Sequence, residues 1–451
     1  MQTTTVAAVS TPRGKGGVAM LRVSGPDARA VLARVFRSRG DVPLRPRTAV
    51  YGSFYDDGGV FDDGIAVFYA SPASYTGEDT AELCCHGGLL VTERLLAAVL
   101  AAGAQPAGPG EFTRRAFLNG KLTLTEAEAV AGIIDAASAR RLEIGVRQAG
   151  GSLSRRIDGL YGRLVTLAAS LRAYIDYPDE DLADLSEAET AAELSAVKAE
   201  LDALADSHRY GRAVSEGVRT VLVGRTNTGK SSLLNLLLGF ERALVSDEAG
   251  TTRDVVSAPA VVCGIPLLLA DTAGLRAGAG EVERAGIRKS IEQLEQAELV
   301  LAVFDLSQPL TDEDYALADR IRALGKAAQT IAVFNKLDLA AQAAPPALFE
   351  TQVCLSARTG AGREALENAV GALYGGLEPD MDSVVTSARQ AAALRRASEA
   401  LDGALCALGD GAPDASGTEL DAAIAALGEL DGRSVGEAVV AEIFSRFCVG
   451  K

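Results

Sequence analysis

Paired cysteines are missing from this sequence. Its six cysteines (Cys84, Cys85, Cys263, Cys354, Cys406 and Cys448) never fall in a C-x-x-C spacing, and only two histidines accompany them. Neither a zinc site nor a disulfide framework is expected. Basic residues are in the minority, 44 against 60 acidic ones, for a net charge of -16. A large nonspecific nucleic-acid surface normally carries a basic excess. That leaves room for a small local patch, or for a partner that holds the nucleic acid. No apolar run approaches the ~18 residues of a membrane span. The start, Met1-Gln2 and three threonines, lacks the charged-then-apolar layout of a signal peptide and the Arg-rich bias of a transit peptide. A cytoplasmic protein with no membrane partner is the expectation.

What is present suits a multidomain globular chain. Its 451 residues favour roughly two to four domains, and 48% hydrophobic content is ample for several cores. Over 1–121, the short apolar runs Val18–Val23 and Ile65–Tyr69 are bounded by Gly, Pro and Asp, as strands are. Leu89–Ala102 has helical spacing and is followed by the breakers Pro106 and Pro109. This predicts an α+β N-terminal domain. From Leu122 to Val214 the pattern is helical; Thr125 with Glu128 and Ser186 with Glu189 fit the S/T-x-x-E capping box. The acidic stretch Asp176–Asp181 between them reads as an interhelical loop. Strands and helices alternate from Arg219 to Tyr374, the signature of a parallel α/β sheet. From Met381 to Phe447 helical periodicity returns, broken by a turn-rich stretch at Gly409–Gly417. The expected organisation is an N-terminal domain (1–121), a helical domain in two segments (122–215 and 379–451), and an α/β P-loop domain (216–378) inserted between those segments.

Gly224-Arg-Thr-Asn-Thr-Gly-Lys230-Ser231 follows the apolar run Thr220–Val223 and matches G-x-x-x-x-G-K-[ST] in the strand–loop–helix context of a P-loop. Backbone N–H groups of such a loop converge on a β-phosphate, Lys230 offsets β/γ charge, and the Ser231 hydroxyl can ligate Mg²⁺. Thr228, Gly229 and Ser232 belong to the same cradle. Asp271-Thr272-Ala273-Gly274 follows the apolar run Pro266–Ala270, where an Asp can hold the Mg²⁺ shell and a Gly lets backbone reach a γ-phosphate. Thr251 and Thr252, in Gly250-Thr-Thr-Arg-Asp254, lie where a switch loop supplies a Thr to the metal. Asn335-Lys336-Leu337-Asp338 follows the run Ile331–Phe334. Asp338 offers an acceptor pair to the two N–H donors of guanine, which adenine lacks, so GTP is selected over ATP. Ser356-Ala357-Arg358 closes the base pocket.

The position where many small GTPases carry a water-orienting Gln is Leu275, and no cis arginine finger is identifiable by pattern. Asn227 offers a neutral oxygen near the phosphates, suited to a monovalent cation playing the arginine's part. Glu283, after the switch, is either a surface residue or a group that orients water.

These motifs, with Thr11-Pro-Arg-Gly-Lys-Gly-Gly17, Leu21-Arg-Val-Ser-Gly25, Tyr75-Thr-Gly-Glu-Asp79, His86-Gly-Gly88, Pro109-Gly-Glu-Phe-Thr113, Arg115-Ala-Phe-Leu-Asn-Gly-Lys121 and Phe444-Ser-Arg-Phe-Cys-Val-Gly-Lys451, resemble the MnmE (TrmE) family of bacterial tRNA modification GTPases from end to end. The resemblance implies a folate-binding, dimerising N-terminal domain, a two-segment helical domain and an inserted Ras-like G domain. It implies a K⁺ site at Asn227 and the Ser246–Thr251 loop (Ser246, Glu248, Thr251), with Ser231 and Thr252 as Mg²⁺ ligands and Glu283 as the catalytic glutamate. It implies that Arg22, Glu82, Lys121 and Lys451 contact a 5-formyl- or 5,10-methylene-tetrahydrofolate. Cys448 is then either a nucleophile toward C6 of a uracil or a small buried hydrophobe at a domain junction.

The function so implied is K⁺-stimulated GTP hydrolysis coupled to aminomethyl or carboxymethylaminomethyl addition at C5 of a tRNA wobble uridine. Its implied partners are a second copy of the chain, the FAD-containing MnmG (GidA) in a heterotetramer, and tRNA. A ribosome-assembly switch is the alternative, though such proteins usually append a basic RNA-binding module. A stand-alone folate-dependent aminomethyl transferase with a regulatory GTPase is a third reading.

Overall fold

The computed structural model describes residues 4–176, 187–239, 241–242, 260–269, 292–339, 345–375 and 380–450. By packing, the chain divides into two units, Met1–Ala131 with Gly428–Lys451, and Gly132–Leu427.

The first unit is built on a sheet of β1 (Val6–Val9), β2 (Ala19–Ser24), β3 (Phe36–Ser38), β4 (Val50–Asp56), β5 (Gly59–Tyr69), β6 (Thr80–Cys85) and β7 (Gln105–Pro106), in the order β3-β4-β5-β6-β2-β1-β7. Pairings are antiparallel except β1 with β7. Alternation decides which face is covered. Leu21, Val23, Ala81 and Leu83 point to one side and are sealed against Val31 and Leu32 of α1 (Ala28–Val35) and Leu95 and Val99 of α2 (Leu89–Ala101). Each buried Leu or Val among them contributes about 1.5–3 kcal/mol by leaving water. Arg22 and Glu82 alternate to the opposite side.

A buried ion cluster ties this sheet to α3 (Glu111–Leu118). Arg115, 1% exposed, donates to Glu78 and Glu111 at 3.0 Å each and to the Thr4 carbonyl at 2.8 Å. A guanidinium removed from water needs this full set of acceptors.

The capping box of α4 (Leu124–Ile134) lies two residues earlier than the sequence frame Thr125/Glu128 suggested. Thr123 Oγ1 accepts from Glu126 N at 3.1 Å and Thr123 N donates to Glu126 Oε2 at 2.8 Å. Thr125 is buried instead, its hydroxyl donating to the Leu430 carbonyl. Both Thr frames satisfy the pattern, and burial selects between them. Ser186, on which the Ser186/Glu189 box depends, and the acidic residues 177–181 lie outside the described residues.

In the second unit, α5 (Ala139–Ala149), α6 (Ser152–Asp176) and α7 (Glu187–Glu216) precede a second sheet. Its strands are β8 (Val218–Val223), β9 (Glu241–Arg242), β10 (Ala260–Val262), β11 (Ile265–Leu269), β12 (Leu299–Asp305), β13 (Thr330–Asn335) and β14 (Thr351–Cys354), ordered β14-β13-β12-β8-β11-β10-β9. The run β14 to β11 is parallel and the β10 and β9 edge antiparallel. β12 and β13 are buried at every position, as central strands covered on both faces must be. α8 (Lys230–Leu238), α9 (Asp312–Ala323) and α10 (Arg363–Leu373) supply covering helices.

α11 (Ala388–Gly409) returns to pack on α7, with Ser398 Oγ donating to Asp202 Oδ1 at 2.5 Å, and Ser207 Oγ of α7 donates to the carbonyl of Ser383, in the segment before α11, at 3.1 Å. Helices on either side of the sheet in sequence are thereby neighbours in space, as an inserted domain requires. The turn-rich reading of Gly409–Gly417 is too long. Only 410–412 separate α11 from α12 (Pro413–Asp431), because proline fits the first turn of a helix, where its missing N–H is not needed. α13 (Glu437–Ser445) ends the described helices.

Thr123→Ala removes the capping hydroxyl, and the first unit should lose about 1 kcal/mol of stability, read as a lower urea midpoint for its unfolding.

Candidate functional site

The candidate nucleotide site lies at the carboxyl ends of the parallel strands, where open α/β sheets bind ligands. β8 delivers the chain into the 224–229 loop, and α8 starts at Lys230. Asn227 stands exposed at φ +65°. Lys230 Nζ donates to the carbonyls of Gly224 and Arg225 at 2.7 and 2.5 Å, and burial pushes its ammonium below the usual lysine range. Thr228 is buried with its hydroxyl on the Arg225 carbonyl at 3.1 Å. Ser231 and Ser232 are exposed in the first turn of α8.

Asn335, 2% exposed at the end of β13, joins this loop to the segment that follows β14. Its Nδ2 donates to the Thr228 carbonyl and its Oδ1 accepts from Ala357 N, both at 2.9 Å. A Cβ at Gly229 would fall 2.1 Å from that Nδ2 and would sit at φ +94°, so only glycine fits. Asp338 is exposed, and one carboxylate oxygen accepts from Ser356 Oγ at 2.6 Å. Ser356 is fully buried and its Oγ also accepts from Thr359 N at 3.2 Å. Arg358 is exposed beside it.

The structure thus gathers Asn227, Thr228, Gly229, Lys230, Ser231, Ser232, Asn335, Lys336, Asp338, Ser356, Ala357 and Arg358 at the carboxyl ends of β8, β13 and β14. Ser246, Glu248, Thr251, Thr252, Asp271, Thr272, Ala273, Gly274, Leu275, Glu283 and Lys451 lie outside the described residues. Sequence reasoning missed two acidic partners of this site. Asp305 binds Lys336 Nζ at 2.6 Å, and Asp314, 1% exposed, binds Arg225 Nε at 3.2 Å. An Asp closing an apolar strand is the only signal that marked the first.

In the other unit, strand register sets Arg22 opposite Glu82. Arg22 donates through Nη2 and Nε to Glu82 Oε1 at 2.7 and 3.1 Å, and the Tyr69 hydroxyl donates to Oε2 at 3.2 Å. The guanidinium lies 5.4 and 5.6 Å from the ring centroids of Tyr75 and Phe112. Desolvation pushes the hydroxyls of Tyr69 and Tyr75 above their ordinary range. Lys121 is exposed and donates to the Pro72 carbonyl at 3.3 Å rather than joining the Arg22–Glu82 pair. The aromatic lining of that pair was also unforeseen, although Tyr75 and Phe112 both fall inside family motifs.

Two family models cover nearly all of the chain, one described as the GTP-binding protein TrmE N-terminus over residues 5–121 and one as the MnmE helical domain over 124–448. The chain belongs to the MnmE family. Curated relatives named tRNA modification GTPase MnmE include that of Thermotoga petrophila, 39% identical over 99% of this chain and 100% of the relative, and that of Opitutus terrae, 42% identical over 99% of each. A looser likeness joins part of the chain to solved GTPases. A point variant of Aquifex aeolicus Era bound to GDP·AlF4⁻ is 24% identical over 41% of this chain and 66% of that chain, with a TM-score of 0.27.

The C-terminal MnmE signature is strapped onto the first unit. Gly110 N donates to the Cys448 carbonyl at 3.2 Å, Val449 bridges Pro109, and Ser10 Oγ donates to the Gly450 carbonyl at 2.9 Å. Phe444 and Phe447 anchor it through ring contacts with Phe117 and each other. Cys448 is exposed. The reading of Cys448 as a small buried hydrophobe is therefore wrong: backbone bonds and the two phenylalanines seat this tail, and its thiol stays outside.

Gly229→Ala should lower GTP affinity more than tenfold, as titration calorimetry would read, because Asn335 cannot keep its bond to Thr228 past the new methyl.

Proposed function

We propose that this chain is a GTP hydrolase acting in tRNA modification, with hydrolysis coupled to aminomethyl or carboxymethylaminomethyl addition at C5 of a wobble uridine. One observation carries the reading: a P-loop and an exposed, Ser356-oriented Asp338 lie at the same carboxyl end of one parallel sheet in a chain of the MnmE family. Asp338 presents carboxylate oxygens to the N1–H and 2-amino group of guanine. Phosphate oxygens offer Lys230 stronger, charged acceptors than the two carbonyls it now holds.

The donor set suits the cations of the reaction. Mg²⁺ is a hard ion that prefers hydroxyl and carboxylate oxygens, and Ser231 is accessible in the first turn of α8, where Thr252 and the Asp271–Gly274 segment would complete the site. Asn227, exposed at the loop crest, has a neutral side-chain oxygen suited to K⁺. Ser246, Glu248 and Thr251 are its proposed co-ligands. A K⁺ held there supplies positive charge near the phosphates where no arginine finger is recognised, and Glu283 is assigned to orienting the water.

In the first unit the proposed ligand is a tetrahydrofolate carrying a one-carbon unit, at Arg22, Glu82, Lys121 and Lys451. The aromatic rings beside Arg22 suit a flat pterin, and the Arg22–Glu82 pair would exchange partners on binding, Glu82 accepting from pterin N–H groups. Cys448, with its exposed thiol, is available as a nucleophile toward uracil C6. We assign homodimerisation and the flavoprotein MnmG (GidA) as partners. The charge of -16 favours a partner that supplies much of the tRNA-binding surface. The ribosome-assembly alternative gains nothing from the fold: among the described residues no strand follows β14, so no KH-type module appears there. Among the described residues, too, no helix is long and apolar enough to cross a membrane.

Two measurements test the proposal. Nucleoside analysis of tRNA from cells lacking this protein should show loss of C5-modified wobble uridines, and an unchanged profile would remove the assigned role. GTP turnover should rise strongly when Na⁺ is replaced by K⁺; equal rates in the two salts would refute the cation assignment.

A further inference from the structure

Lys336 is held at φ +68°, in the left-handed region that a side chain with a Cβ disfavours. The anchor lies on the neighbouring strand. β12 and β13 pair in parallel with Asp305 beside Asn335, so register sets the Asp305 carboxylate next to Lys336. Lys336 Nζ donates to Asp305 Oδ2 at 2.6 Å. The other oxygen, Oδ1, accepts from the Ser307 amide and hydroxyl at 3.0 and 2.6 Å. Asp305 is 5% exposed. Burial alone would raise its pKa, but the bonds from Lys336 and Ser307 outweigh it and hold the carboxyl below the usual range. The anchor is fixed and charged.

The turn at Lys336 directs the two residues after it. Leu337 N donates to the Leu355 carbonyl at 3.1 Å, which lays this segment along the chain leaving β14. Asp338 thereby meets Ser356 Oγ at 2.6 Å while remaining exposed.

We propose that Asp305 is a specificity-determining positioning residue: it pins Lys336 in the left-handed turn and so aims the Asp338 carboxylate at guanine. The inference rests on Asp338 as the group that reads the base. A second acidic residue supplies the contrast. Asp314 holds Arg225 at 3.2 Å, and the Arg225 carbonyl receives Lys230, so Asp314 acts on the phosphate half and not on base choice.

The test compares GDP with IDP, whose hypoxanthine lacks the 2-amino group, by titration calorimetry on the full chain. Asp338→Ala should collapse the ratio of the two affinities. Asp305→Asn should shrink it roughly tenfold, about one well-aimed hydrogen bond to a charged group. Ser307→Ala, which removes one donor to Asp305 and is milder for folding, should shift the ratio the same way by less. Asp314→Asn should weaken both nucleotides alike and leave the ratio at its wild-type value. If Asp338→Ala collapses the ratio while Asp305→Asn and Ser307→Ala both leave it intact, the inference falls and the base reading stands. If Asp338→Ala itself leaves the ratio unchanged, the base reading falls and takes the inference with it. A ratio lowered as much by Asp314→Asn as by Asp305→Asn would mean general loosening of the site and would also overturn the assignment.

Discussion

One buried carboxamide holds the nucleotide site together. Asn335 donates to the P-loop at Thr228 and accepts from the loop after β14 at Ala357, so three chain segments share a single planar group. Two such bonds to a buried amide are modest in net energy but expensive to leave unmade. The geometry around them follows from this amide. Glycine at 229 lets the loop come close enough, and the parallel pairing of β12, β13 and β14 fixes where each loop starts. The loop after β8 and the loop after β14 are mechanically joined before any ligand enters.

Legibility in the sequence tracks how local each feature is. The P-loop, Asn335-Lys-Leu-Asp338 and Ser356-Ala-Arg358 are directly readable because their chemistry lies within a few residues of one backbone turn. Asp305 is not, since its meaning depends on strand register with β13. The same holds for Arg22 and Glu82, sixty positions apart, which face each other only because β2 and β6 pair antiparallel. The cap of α4 is ambiguous in sequence because two overlapping Thr frames fit the same pattern, and only the burial of Thr125 against Leu430 distinguishes them. Pro413 falls inside the Gly409–Gly417 stretch read as turn-rich, yet it opens a helix; proline suits a turn and a first helical turn alike, and its position decides.

The helices flanking the second sheet show how an insertion is accommodated. α7 leads into β8 and α11 returns to α7, so the nucleotide-binding sheet starts and ends on one packed helical pair. The Asp202–Ser398 bond joins that pair directly, and Ser207 of α7 also holds Ser383 in the segment leading into α11. A change in the sheet that moved either β8 or the chain after α10 would be felt first at this junction.

The strap formed by Val449 and Gly450 has a consequence for biosynthesis. Ser10 and Gly450 are 440 positions apart, and a side chain at Gly450 would strike the Val9 carbonyl at 2.2 Å. After β1 leaves the ribosome, it therefore waits for both other domains to be made before its last neighbour arrives. Until then the edge at Ser10 and Pro109 stays open during translation. Completion of an early-made unit is thus coupled to synthesis of late-made residues, and a chain cut short before Val449 could not close it.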